Sequence, residues 1–247
     1  MSSIAQQPRC LLIFASADQD PYHASVTPDF LSTFLIRAGL AVEVARHAAE
    51  VTAERLAAAD LIVLWTLFGP DHQVAYDRLY AQVGQGTSLL AIHTAIWSAD
   101  AAGRSAALGG AYRGHPPRQP FAVAIDVTDH PIVAGVKPFT IADEAYQIDV
   151  CDDITILAHA DSATIRRCWQ DEGQTAPMLL GFDSWTRTHR RLPLVYVKKL
   201  GRGTLVNLAL GHDRDAFAHP AFGRIMSQAV AWLLQQSSAS RWEDQHA

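Results

Sequence analysis

The sequence contains few charged residues, which make up 18% of its 247 positions, against about 25% in an average soluble domain. Apolar residues make up 49%, so the chain can bury a sizeable core, and disorder from weak hydrophobicity is excluded. The formal net charge is −5, and the short basic run at 187–191 is typical of a solvated loop. Nucleic acid is therefore not an expected partner, because neutralising its phosphates requires a basic face.

Cysteines and long apolar runs are also scarce. The sequence has three cysteines, an odd number, and they lie far apart: Cys10, Cys151 and Cys168. This favours a reducing compartment over a disulfide framework. The apolar run at 11–15 resembles a short secretory signal, but a buried first strand is the preferred interpretation. No stretch approaches the roughly 18 apolar residues of a membrane span. We expect a soluble, cytoplasmic protein with no membrane partner.

Several common catalytic motifs are missing. The sequence has no GxxxxGK[ST] loop, no GxGxxG after a strand and no GxSxG elbow. The glycines of Gly84-Gln85-Gly86 precede a strand, which is the wrong end for holding phosphate at a helix N-terminus. These absences argue against phosphoryl transfer at a P-loop, a Rossmann nicotinamide site and an α/β-hydrolase serine mechanism.

The first third of the chain alternates apolar runs with amphipathic segments, a pattern typical of parallel strands joined by helices. Thr27 and Pro28 are predicted to start a helix that ends at Gly39. The predicted strands of this part are Cys10 to Ala15, Leu40 to Ala45, Leu61 to Thr66 and Ser88 to Ile92.

The rest of the chain continues the α/β pattern with less regular spacing. Gly, Pro and His crowd the region around 109–117, which we interpret as an ordered functional loop. Further strands are predicted at 121–127, 154–158, 193–197 and 204–210, and a last helix from Pro220 to Leu234. With no repeat or linker, the sequence predicts one domain over 1–247, with a core at about 9–235 and a frayed polar tail at 236–247.

Histidines follow several predicted strands. In an open parallel sheet, ligands bind beyond the carboxyl ends of the strands, which are followed in this sequence by His23, His72, His93 and His212. His93 comes directly after a buried strand, where a nucleophile elbow would lie. It is either a site residue or a structural histidine bonded to a backbone carbonyl.

The middle of the chain supplies further candidates. His115 lies in the rigid Gly114-His115-Pro116 segment, and Glu144 is preferred over Asp143 because adjacent carboxylates on a strand face opposite ways. A solvated turn is the alternative for this acidic pair. The histidines and Glu144 could ligate a divalent metal, but no compact spacing such as HExxH supports it, so no metal or other cofactor is assigned.

Taken together, the motifs resemble those of the ThuA-like family, the trehalose-utilisation proteins. The matching pieces, in chain order, are Ala91-Ile92-His93-Thr94-Ala95, Leu108-Gly109-Gly110 with Tyr112, Gly114-His115-Pro116, Asp129-His130-Pro131-Ile132, Asp143-Glu144-Ala145-Tyr146, Gly201-Arg202-Gly203, and Leu210-Gly211-His212-Asp213 with Pro220, Phe222 and Trp232. Ala91 departs from the family pattern, which usually has Gly there, and no motif matches 164–191.

The resemblance implies a flavodoxin-like, class I glutamine amidotransferase-like three-layer sandwich with a mostly parallel central sheet. His93 would then occupy the position of the amidotransferase catalytic cysteine. Without a thiolate at the elbow there is no nucleophile to form a glutamyl thioester. Glutaminase activity is therefore not expected.

The expected activity is that of a hydrolase or lyase acting on a sugar or 3-keto-glycoside by general acid–base chemistry. His93 or His212 would be the base, and His115 or Glu144 the acid. The predicted substrate-binding residues are His23, Tyr112, Tyr146 and Asp213, the last of which is one candidate to orient His212. The alternative is a non-catalytic sugar-binding or regulatory module. The expected partner is a small carbohydrate, and a homo-oligomer is left open.

Overall fold

The computed structural model describes residues 7–15, 23, 25–66, 73–100, 103–165 and 188–246. The helices are α1 Pro28–Arg37, α2 Ala53–Ala57, α3 Gln73–Gly84, α4 Arg104–Leu108, α5 Arg214–Ala218 and α6 Pro220–His246. The strands are β1 Arg9–Ala15, β2 Ala41–Ala45, β3 Leu61–Thr66, β4 Ser88–Ile92, β5 Gly110–Gly114, β6 Gln119–Ile125, β7 Phe139–Asp143, β8 Gln147–Val150, β9 Ile154–Asp161, β10 Arg191–Leu200 and β11 Gly203–Leu208. Two 3-10 segments, Ala48–Glu50 and His93–Asp100, complete the described elements.

Nine of the strands form one sheet in the order β2-β1-β3-β4-β11-β10-β9-β6-β7. The pairs from β2 to β11 are parallel, and the remaining pairs are antiparallel. Seven of these nine strands therefore run in the same direction, and only β10 and β6 are reversed. The prediction of a mostly parallel α/β sheet is confirmed. A separate antiparallel pair, β5 and β8, lies outside this sheet.

The centre of the sheet is buried on both faces. In β1, Leu12 and Phe14 belong to the core cluster that contains residues of α1, α5 and α6. Leu11 and Ile13 belong to a second cluster, which contains residues of α2 and α3. Helices covering both faces explain why the strands read as continuous apolar runs.

The predicted start of α1 is confirmed, because Thr27 Oγ1 accepts a hydrogen bond of 3.1 Å from the Phe30 N–H. The interpretation of the glycine-rich segment as a loop is wrong where Gly110–Gly114 forms β5. Its main chain pairs with β8, a partner some 35 residues away that local composition does not reveal. His72, one of the histidines that follow predicted strands, lies outside the described residues.

The predicted end of the last helix is also wrong, since α6 continues to His246. Ser237 is buried and its hydroxyl accepts a 2.8 Å hydrogen bond from the Ser88 N–H at the start of β4. Ser237 and Ser240, in the predicted polar tail, are buried and continue the packed face of the helix. Within the described parts of the chain, no helix combines the length and the apolarity that a membrane crossing requires.

The turn between β10 and β11 packs against the end of α3. A Cβ atom added to Gly203 would lie 2.0 Å from the Val83 carbonyl oxygen and 2.7 Å from that of Thr87. Both contacts are with backbone, which cannot move aside as a flexible side chain can. At Gly84, by contrast, an added Cβ meets nothing within 4 Å.

We therefore expect Gly203→Ala to lower the free energy of unfolding by about 1–3 kcal/mol or more, because the methyl group forces two elements apart. Gly84→Ala is the matched control and should be neutral or stabilising by up to about 1 kcal/mol. Urea unfolding followed by circular dichroism measures both. Equal stabilities of the two variants would contradict the close packing of this turn.

Candidate functional site

His93 lies at the strained end of β4. It has a φ of +44°, the only positive φ among the described non-glycine residues. Its imidazole is fully buried, and Nδ1 lies 2.9 Å from the Ala209 carbonyl oxygen. Because a carbonyl only accepts, Nδ1 carries the proton, and in the neutral ring Nε2 accepts from the Tyr146 hydroxyl at 2.9 Å. The histidine is thus anchored structurally and held in one orientation, in a backbone conformation typical of functional turns.

One carboxylate oxygen lies among three imidazoles. Glu144 Oε2 is 3.4 Å from His93 Nε2, 3.5 Å from His115 Nε2 and 3.3 Å from His212 Nδ1. Glu144 is only 8% exposed, so the alternative of a solvated turn is wrong. We call these four residues together with His23 the histidine–glutamate cluster.

Aromatic rings enclose this cluster. The His23 ring centroid is 5.3 Å from that of His93 and 4.8 Å from that of His212. Tyr146 and Trp65 stack on His93, with centroids 4.4 and 5.8 Å away. Trp65 was not among the predicted site residues, although its position near the carboxyl end of β3 satisfies the rule that selected the histidines.

Asp143, next to Glu144, faces backbone instead of the histidines. Its carboxylate accepts hydrogen bonds from the N–H groups of Glu144 and Gly211, both at 2.7 Å, and of His212 at 3.3 Å. Asp143 is fully buried. It therefore ties the end of β7 to the loop after β11, and this contact spans 68 residues of sequence.

Burial and neighbouring charges shift the pKa values in opposite directions. Burial raises the pKa of Glu144, but the facing His212 and His93 outweigh it and hold the pKa well below its usual range. Burial lowers the pKa of His212, yet the same carboxylate raises it above its ordinary value. For His115 burial prevails and the pKa is lowered, whereas for Asp143 burial raises it. The cluster therefore favours a charged Glu144.

Further aromatic residues line the outer side of the cluster. The Tyr112 ring lies 4.9 Å from that of Tyr146 and 5.6 Å from that of Trp97, centroid to centroid. Trp97 is 41% exposed. No sequence pattern separated Trp97 from core tryptophans, because it lies in a 3-10 segment without regular periodicity.

Asp213 is engaged elsewhere. Its Oδ1 caps α5 by accepting a 2.9 Å hydrogen bond from the Ala216 N–H, and its Oδ2 lies 2.6 Å from Arg118 Nε. The acid that faces His212 is Glu144. The structure therefore brings together all the predicted site residues except Asp213, and their catalytic and binding roles stay predictions.

The described cysteines do not replace the missing nucleophile. Cys10 is buried at the beginning of β1. It lies in register with the start of β4, whereas His93 follows the end of that strand. Burial raises the pKa of the Cys10 thiol to about 12. Cys151 is half-buried just after β8, and Cys168 lies outside the described residues. A buried thiol with so high a pKa stays protonated and is a poor nucleophile.

Asp143→Asn should lower the free energy of unfolding by about 1–3 kcal/mol, because the amide NH₂ cannot accept from the backbone N–H groups that the carboxylate satisfies. Asp152→Asn, in the exposed turn before β9, is the matched control and should change stability by less than about 0.5 kcal/mol. Thermal unfolding of both variants provides the measurement. An unchanged midpoint for Asp143→Asn would show that this contact does not stabilise the fold.

Comparison with solved structures supports the fold. A ThuA-like protein from Bacteroides uniformis superposes with a TM-score of 0.70 at 16% identity, with 94% of each chain covered. A ThuA-like protein from Parabacteroides merdae gives 0.69 at 17% identity, covering 93% of this chain and 90% of that one. A glutamine amidotransferase from Thermotoga maritima gives 0.53 at 11% identity, covering 94% and 90%. The amidotransferase-like fold expected from the sequence is thereby confirmed.

The sequence itself matches a family model. No curated protein matches the chain, but the model described as "ThuA: Trehalose utilisation" matches residues 11–233. This match includes every described residue of the histidine–glutamate cluster. The chain belongs to the ThuA family.

Proposed function

We propose that this protein is an enzyme of carbohydrate use that cleaves a 3-keto-glycoside by proton transfer within the histidine–glutamate cluster. The observation that carries the proposal is the single Glu144 oxygen within 3.5 Å of nitrogens of three histidines. Such a group of acid–base side chains is suited to moving protons in both directions. The family description, trehalose utilisation, supports a glycoside as substrate.

The chemistry requires a base and an acid but no enzyme nucleophile. The 3-keto group acidifies the C2 hydrogen, so a base removes that proton and the C2–H electron pair forms the C1–C2 double bond. The C1–O bond breaks, and the departing oxygen takes a proton from an acid. Water then adds at C1 while C2 is protonated again, which completes a net hydrolysis and returns both groups to their first state.

The surroundings of the side chains suggest how these roles are divided. The His93 ring is completely buried, and its two nitrogens are engaged by the Ala209 carbonyl and the Tyr146 hydroxyl, so we do not assign it proton transfer with substrate. The side chains of His115, His212 and Glu144 are 15%, 12% and 11% exposed. His115 donates from Nδ1 to the Pro116 carbonyl oxygen at 2.9 Å, which leaves Nε2 directed at Glu144. His115 is therefore our first candidate for proton transfer with substrate.

Trp97 and Tyr112 supply a surface for the sugar ring. The C–H face of a pyranose is apolar and packs against an aromatic ring, while its hydroxyls remain free to bond with polar groups. Trp97 is both exposed and in contact with Tyr112, which in turn contacts Tyr146 beside His93. A sugar stacked there would lie next to the cluster.

We also propose that the reaction takes place in the cytoplasm. Cys10 and Cys151 are free thiols in the structure. Unpaired cysteines are typical of reducing compartments. This matches the expectation from the number and spacing of cysteines in the sequence.

His115→Gln should reduce cleavage of a 3-keto-glycoside at least about 100-fold, the lower end of what one acid–base group contributes. His47→Gln is the matched control, because His47 is exposed beside β2 and lies outside the cluster. Proton NMR in D₂O would follow both cleavage and the incorporation of deuterium at C2 of the product. Binding of the keto-sugar without cleavage by the unmodified protein would instead support the sugar-binding module.

Trp97→Ala should weaken binding of the keto-sugar about tenfold, which corresponds to about 1.4 kcal/mol. The lost stacking surface is the cause, and folding should be preserved because the side chain is partly exposed. Ile36→Ala removes another exposed apolar side chain, on α1, and is the control. Isothermal titration calorimetry measures both affinities, and equal affinities would place the sugar elsewhere.

A further inference from the structure

We infer that His23, His93, Glu144 and His212 form a binding site for a divalent first-row transition metal ion. Each residue offers one ligand atom, and these four atoms lie within 4.8 Å of one another. The inference concerns the same site as the proposed function, but it stands on the geometry of the side chains and does not depend on the sugar.

The separations match the edges of a coordination polyhedron. Metal bonds of about 2.0–2.1 Å in tetrahedral geometry place neighbouring ligand atoms about 3.3–3.4 Å apart. Glu144 Oε2 lies 3.4 Å from His93 Nε2 and 3.3 Å from His212 Nδ1. These pairs are already spaced for a shared ion, and the remaining pairs need only a small inward movement.

Two of these buried atoms make no hydrogen bond to any described residue. They are Glu144 Oε2 and His212 Nδ1, which face each other as an ion pair at 3.3 Å without hydrogen-bond geometry. Leaving a buried polar atom without a hydrogen bond destabilises the fold, and more so when the group is charged. A bound cation would satisfy the carboxylate oxygen and the imidazole lone pair together.

The second nitrogen of His93 is arranged as in metal-binding histidines. Such a histidine almost always donates its other ring N–H to a carbonyl or carboxylate, which fixes the tautomer and the ring plane. His93 does this through Nδ1 and the Ala209 carbonyl, so that Nε2 faces Glu144. The Tyr146 hydroxyl, 2.9 Å from the same nitrogen, is the group that a metal ion would displace.

The donor set favours certain metals. Three imidazoles and one carboxylate suit zinc and neighbouring first-row ions, whereas magnesium and calcium prefer oxygen ligands. The ligands come from four separate parts of the chain, which explains why the sequence shows no compact metal-binding spacing. At this place the ion would stabilise negative charge on the keto oxygen as the C2 proton leaves.

Calorimetric titration of the chelator-treated full chain tests the inference. We expect one equivalent of Zn²⁺ to bind, Mg²⁺ to bind far more weakly, and Zn²⁺ to raise the unfolding temperature. Co²⁺ should give the intense visible absorption of a four- or five-coordinate site. Glu144→Gln and, separately, His23→Gln should weaken Zn²⁺ binding by more than the roughly 10–100-fold that loss of an outer-shell partner costs.

The matched control is His159→Gln, because His159 forms a pair with Asp126 away from the cluster, with Nδ1 and Oδ2 2.9 Å apart. It should leave the Zn²⁺ affinity unchanged. Circular dichroism establishes that each variant is folded, and having two independent ligand variants keeps the test decisive if one of them fails to fold. Wild-type affinity in folded Glu144→Gln or His23→Gln protein, or no stoichiometric Zn²⁺ binding, overturns the inference.

Activity distinguishes this inference from the proposed function. Full cleavage of the keto-glycoside by metal-free protein, with no Zn²⁺ bound in titration, overturns the metal site and leaves the proposed function standing. If Zn²⁺ binds stoichiometrically but no cleavage occurs, the metal site stands and the proposed function fails.

Discussion

The buried carboxylate of Asp143 is the contact on which the arrangement of the site depends. It accepts from three backbone N–H groups that belong to two distant segments, the end of β7 and the loop after β11. With Asp143 held this way, Glu144 is directed to the other side, toward the histidines. Burial opposes the charge of Asp143 and raises its pKa. Its three hydrogen bonds offset that cost, which such a buried group requires if it is to stay ionised.

The site forms where two kinds of strand pairing meet. His23, His93 and His212 follow β1, β4 and β11, which belong to the parallel part of the sheet. Glu144, His115 and Tyr146 come from the turns around β5, β7 and β8, which pair antiparallel. The parallel part therefore supplies three of the four imidazoles, and the antiparallel addition supplies His115 and the acid that faces His93, His115 and His212.

This division explains how much of the site could be predicted from the sequence. The carboxyl ends of parallel strands share an edge of the sheet, so the histidines after β1, β4 and β11 could be grouped without a structure. Glu144 could be chosen over Asp143 from strand alternation, but the role of Asp143 depends on a contact 68 residues away that no local pattern encodes. The same limit applies to β5, which depends on pairing with β8, and to the end of α6, where Ser237 bonds to the start of β4.

The strained turn at His93 gives a physical reason why an amidotransferase-like fold can hold different chemistry. A positive φ at the end of β4 accompanies a side chain that lies against Glu144, Tyr146 and His23. With a thiol at that place, the geometry would present a nucleophile. With an imidazole anchored by the Ala209 carbonyl, it holds Nε2 in a fixed direction, where the Tyr146 hydroxyl and Glu144 lie beside it. The backbone conformation costs about 1–3 kcal/mol in either case. In this chain that conformation holds a fully buried histidine in one orientation beside Glu144.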